Sequence, residues 1–116
     1  INNLPSFIGF SNSVEDISDG TQTAISVSTA LTLLQTAGTN ATTLANGTVV
    51  GQIKIIVHDT DGGSTEMTPA TPLGFVNADF VTAGDTLTCM WTGSAWVVLA
   101  SHAAAANTGV AEVSDD

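Results

Sequence analysis

The stretch TVVGQIKIIVHDTD, residues 48–61, constrains the fold of this chain most. Within it Val49, Ile53, Ile55 and Val57 are separated by multiples of two, and side chains so spaced share one face of an extended strand. The spacing predicts a strand with these four on its buried face. Asn46-Gly47 before it is a favoured tight-turn pair, and Gly62 and Gly63 after it accept positive φ without steric cost. The pattern therefore predicts a hairpin closing at DTDGG, residues 59–63, with STEMTP as its return strand.

Similar patterns run along much of the chain. Ile25, Val27, Leu31 and Leu33 alternate with Ser26, Ser28 and Thr32, again as in a strand. A helix over TALTLLQTAG ending at Gly38 is the competing reading, and its threonines, poor helix formers, count against it. LGFVNADFVTAGD reads as a further strand ending at Ala83-Gly84-Asp85. The stretch TLTCMWTGSAWVVLAS reads as a last hairpin with Thr92–Ala95 as its loop. On it Leu87, Cys89 and Trp91 share one face, and Trp96, Val98 and Ala100 share a face of the return strand. At 116 residues the chain fits one domain. The expected fold is all-β, an antiparallel β-sandwich or a small β-barrel over residues 21–101. An irregular N-terminal arm, 1–20, precedes it and a flexible tail, 102–116, follows.

Composition removes whole classes of function. Lys54 is the sole lysine, there is no arginine, and the net charge is -10. Such a chain repels phosphates, so nucleic acids and anionic membrane surfaces are not expected partners. No apolar run approaches the ~20 residues that span a bilayer, and the acidic first twenty residues do not read as a signal peptide. Charged residues make up 10 % against about 25 % in ordinary proteins, while mean hydropathy is +0.32. The surface must be hydroxyl-rich, as eighteen threonines and ten serines suggest, or partly covered by other copies. Cys89 stands alone, which excludes an intrachain disulfide and predicts a buried, inert thiol.

Candidate chemistry is sparse. Asp59, Asp61 and Glu66 offer hard oxygen ligands around a glycine turn, but their spacing fails the calcium-loop pattern, so a polar turn and no metal are expected. His58 and His102 are the plausible bases at neutral pH, and no nucleophile elbow accompanies either. Catalysis and a cofactor are therefore not expected. Asn40-Ala41-Thr42 and Asn46-Gly47-Thr48 match the glycosylation pattern, and turn residues explain both. Trp91 and Trp96 meet at the tip of the last hairpin, either as a structural clasp or, if exposed, as a stacking platform for a sugar ring.

Residues 51–69, GQIKIIVHDTDGGSTEMTP, and 80–101, FVTAGDTLTCMWTGSAWVVLAS, together resemble a strand-and-hairpin pattern of virion proteins of tailed bacteriophages, including marine cyanophages. The resemblance covers the second half of the chain. It implies a non-enzymatic β-sandwich or small barrel acting as a homotrimer on the outside of the particle, assembled in the host cytoplasm. The leading expectation is a capsid decoration, or cement, protein bound to the major capsid protein, with Leu4, Phe7, Ile8 and Phe10 of the arm as contacts. The alternative is a trimeric head- or tail-fibre tip that binds host glycans through Trp91 and Trp96.

Overall fold

Short runs of alternating apolar and hydroxyl residues separated by glycine-bearing turns fold as strands throughout. The structure is a computed structural model that describes residues 13–17, 24–35, 38–60 and 62–102, together with the backbone of 105–107. Among these residues there is no helix and there are nine strands: β1 (Val14–Ile17), β2 (Leu31–Gln35), β3 (Gly38–Leu44), β4 (Ile53–Thr60), β5 (Gly63–Pro69), β6 (Asn77–Phe80), β7 (Thr86–Trp91), β8 (Trp96–His102) and β9 (Ala105–Asn107). They form a five-stranded sheet in the order β1-β2-β4-β7-β8 and a four-stranded sheet in the order β3-β5-β6-β9. The inner faces meet in one core, where Leu34, Ile56, Leu87, Cys89 and Trp96 of the first sheet join Leu44, Met67, Ala78 and Phe80 of the second. The all-β, sandwich-like expectation holds, and no closed barrel forms.

The sheets are mixed rather than antiparallel. From β2 to β5 the chain changes sheet at every strand, so strands of one sheet arrive in the same direction, and β2 pairs β4, and β3 pairs β5, in parallel. β1 also lies parallel to β2. The hairpin expected at DTDGG is absent for the same reason: both edges of β4 are taken, by β2 and β7, and β5 belongs to the other sheet. Gly63 serves a different purpose. Gly38 donates its N–H to the Gly62 carbonyl at 2.9 Å, and a Cβ on Gly63 would collide with the Gly38 backbone.

The phase of two strands also differs from expectation. On β4 the buried side chains are Lys54, Ile56 and His58, while Ile53, Ile55 and Val57 face outward and remain partly exposed. Val49 lies outside the strand and is exposed. On β2 Thr32 and Leu34 are buried, and Leu31 and Leu33 face outward. Alternation reveals that a strand has two faces. It cannot choose between them when both carry apolar residues. Asn40 sits within β3 rather than in a turn. The sheets also extend past 21–101 at both ends, since β1 falls in the segment read as arm and β9, paired with β6, in the segment read as tail. The last hairpin, β7–β8, forms as expected across Thr92–Ala95, with Trp91 opposite Trp96.

Candidate functional site

Two places gather the residues with chemical potential. The first is the tip of the β7–β8 hairpin. Thr92 fixes its turn: the backbone N–H donates to the Ala95 carbonyl at 2.9 Å, and the hydroxyl accepts from the N–H groups of Ser94 and Ala95. This sets Trp91 against Trp96 edge to face, with centroids 5.5 Å apart and planes at 60°, a geometry the aromatic quadrupole favours. Two loops close over the pair. Residues 45–52 bond to it through the Gly51 N–H to the Trp91 carbonyl, the Trp91 N–H to the Gln52 carbonyl, and the Trp96 indole Nε1–H to the Ala45 carbonyl at 2.9 Å. Gln52 braces that loop, its Oε1 accepting from the Thr48 N–H and its amide nitrogen donating to the Val27 carbonyl, each at 2.7 Å. From the other side Trp96 pairs with Thr71 and Leu73 through backbone bonds of 2.9 and 2.8 Å.

Trp91 is 6 % exposed and Trp96 0 %. The clasp reading therefore holds, and the stacking platform is corrected: neither indole presents a face to a sugar ring. What the tip does present is aliphatic. Val49, Val50 and Leu73 are exposed around it, Val50 at 72 %.

The second place is a polar stripe inside the sandwich. Lys54 is 1 % exposed, and its ammonium donates to the Thr29 carbonyl at 3.0 Å and to the Thr29 hydroxyl at 2.8 Å. Burial lowers its pKa to about 8, opposed in part by the negative field of Glu15. Glu15 is itself held on β1, one carboxylate oxygen accepting from the Ser26 N–H at 3.0 Å and the Thr32 hydroxyl at 2.7 Å. Opposite Lys54 in register stands Cys89, whose thiol burial pushes up to about 12. A thiol so placed stays protonated and is a poor nucleophile, as expected from sequence. His58, on the same face of β4, is fully buried, and His102 is exposed. Sequence reasoning missed that the sole lysine is internal: its place between Ile53 and Ile55 sets it on the face opposite to theirs, and no local signal marks that face as the buried one.

The acidic turn does not assemble as a site. Asp59 is exposed at the end of β4 in one sheet and Glu66 lies on β5 in the other, while Asp61 is outside the described residues. No group of three or more histidine, cysteine or acidic side chains that could hold a metal occurs among the described residues. Glu66 instead stands beside Asp79 across β5–β6, in an open hollow of about 440 Å³ that Thr39, Asn40 and Ser64 also line. Ala41 and Val81 belong to the lining as well, so the hollow offers hydroxyls and carboxylates for hydrogen bonding beside apolar surface. Leu4, Phe7, Ile8 and Phe10 fall outside the described residues. No family model matches the chain, and no curated protein matches it either.

Proposed function

We propose that this chain is a virion structural protein of the tailed-phage type, a capsid decoration protein that seats on the outer shell as a homotrimer and stabilises it. The observation that carries the reading is the burial of Lys54: with no arginine in the chain, the exterior bears no lysine or arginine side chain at all. A surface of hydroxyls and carboxylates is suited to a coat facing away from a packaged genome, because it offers nothing that neutralises phosphate. The proposal assigns no catalysis and no cofactor. Its mechanism is mass action: a protein that binds the assembled lattice and not the free major capsid subunits stabilises that lattice by its own binding free energy. Contact is assigned to Leu4, Phe7, Ile8 and Phe10. The test is co-sedimentation with capsids of the full chain and of a chain lacking residues 1–10. The full chain should bind, and the truncated chain should lose binding while keeping its β-sheet circular dichroism. No binding by the full chain overturns the function, and binding retained after truncation overturns the contact assignment.

A second reading, a trimeric fibre tip that binds host glycans, has support from the open hollow on β3, β5 and β6 with its Glu66–Asp79 pair, not from the tryptophans. Substituting Glu66→Ala and Asp79→Ala together should then abolish adsorption to host cells without unfolding the chain. Adsorption that persists in the double variant removes this reading.

A further inference from the structure

The outer faces of the two sheets differ in kind. On the four-stranded sheet the outward positions of β3, β5 and β6 carry hydroxyls, amides and carboxylates, among them Thr39, Ser64, Glu66, Thr68 and Asp79. On the five-stranded sheet, beside Gln35, Asp59, Thr86 and Thr88, the outward positions of β2, β4 and β7 carry six apolar residues, Leu31, Leu33, Ile53, Ile55, Val57 and Met90. These six are contiguous, because Leu31 pairs with Ile55, Leu33 with Val57 and Ile53 with Met90. All six remain partly exposed, and no described strand lies over them. Parallel strands normally have both faces covered, which is why they read as near-continuous apolar runs. The parallel strands β2 and β4, LTLLQ and IKIIVHDT, have the runs and, among the described residues, only one cover.

Charge bears on which partner this face can take. A basic partner would be met by carboxylates, and among the described residues this face has them only at its margin: Asp16 on the edge strand β1, bonded to the Gln35 amide at 2.9 Å, and Asp59 at the end of β4. A partner as acidic as this chain, at -10, is repelled wherever carboxylates face it, and the uncharged centre of this face is where two such chains can touch. A second copy of this chain is such a partner, and this is the face on which it meets no opposing carboxylate at the centre. Size agrees: five strands at about 4.8 Å spacing and three outward positions about 6.8 Å apart give roughly 500 Å² per copy, or roughly 1,000 Å² for a pair, the lower end of specific interfaces. An apolar centre with a polar margin is also the usual anatomy of such contacts.

We infer that the outer face of the five-stranded sheet is a self-association interface, occupied by the same face of a second copy of this chain. The same patch serves every copy, about a two-fold axis or with three faces turned to a common three-fold axis. The inference does not rest on the virion reading; it supplies that reading with a subunit contact.

The experiment is solution mass by light scattering across a dilution series, on the full chain and on two variants. Ile55→Glu places a charge at the centre of the face, and Thr68→Glu places one on the exposed outer face of the other sheet. The native chain and Thr68→Glu should assemble to the same multiple of 11.7 kDa, and Ile55→Glu should run as a single chain with unchanged circular dichroism. Added salt should tighten the native assembly by screening its like charges. Should Ile55→Glu fail to fold, Ile55→Thr keeps a strand-forming residue and should weaken association about tenfold or more. A native chain that is monomeric throughout, or an Ile55→Glu variant that assembles as the native chain does, overturns the inference. Assembly that appears only after removal of residues 1–12 also overturns it, by showing that this segment covers the face. Capsid co-sedimentation of the full chain is scored separately, so failure of this interface and failure of the virion reading are distinguishable.

Discussion

The ammonium of Lys54 lies 3.0 Å from the carbonyl and 2.8 Å from the hydroxyl of Thr29, a residue 25 positions upstream, in the interior of the sandwich. The chain's sole lysine thus fastens the loop before β2 to the inner face of β4.

Stability in alkali should report that buried ammonium. Burial lowers its pKa from 10.5 to about 8, so between those values the unfolded chain binds more protons than the folded one and stability rises with pH. Cys89 acts in the opposite sense: its thiol is raised from 9.0 to about 12, so above pH 9 the unfolded chain loses a proton the folded one keeps, and stability falls. Urea denaturation should therefore show stability rising from pH 8 to about 9 and levelling or falling above it. Lys54→Met should remove the rise, and Cys89→Ala should remove the fall. A profile in Lys54→Met identical to that of the native chain would contradict the assignment.

Trp96→Ala should cost about 3–5 kcal/mol, the usual range for a fully buried large aromatic, and a large share of the 5–15 kcal/mol total typical of a domain. Trp96→Phe should cost less than Trp96→Ala, though it strands the Ala45 carbonyl that the indole nitrogen now satisfies. Chemical denaturation of the two variants side by side checks the order.

Gly47 lies against Trp91, and a Cβ there would overlap the base of the Trp91 side chain and crowd the Gln52 side-chain oxygen. Gly47→Ala should destabilise by about 1–3 kcal/mol, as overpacking does. The tryptophan fluorescence of the folded variant should shift as well, because the edge-to-face pair must move to make room.

Thr65 is buried with its hydroxyl unpartnered. A buried hydroxyl without a partner carries a desolvation cost of about 1–3 kcal/mol, so Thr65→Val, which keeps the branched shape, should raise the urea midpoint. A lowered midpoint would show that the hydroxyl has a partner after all.

These outcomes bear on how far the chain could be read from its residues. Local features were legible. The β7–β8 hairpin, its loop and the meeting of Trp91 with Trp96 follow from alternation and a short turn, which act within twenty residues. Phase and pairing were not. Ile53, Ile55 and Val57 outrank Lys54 and His58 in hydropathy, so the alternation of β4 pointed the apolar set inward; the structure turns it outward and satisfies Lys54 with Thr29. The parallel pairing of β3 with β5 depends on β4 being claimed by β2 and β7, whose paired residues lie 24–25 positions before and 29–37 positions after their partners on β4, and no local pattern encodes that. The candidate contacts of the arm, Leu4 to Phe10, belong to the part of the chain that the described residues do not reach.

The interior position of Lys54 also decides how the chain meets a protease. Trypsin cuts after lysine and arginine, so it has one site here, at the second residue of the central strand β4 and at 1 % exposure. No surface loop offers it a substitute. Cleavage must then await an opening that frees this end of β4 from its neighbours, and where protease is abundant enough for cutting to outpace reclosing, the rate at which the two fragments 1–54 and 55–116 appear is a clock for that opening.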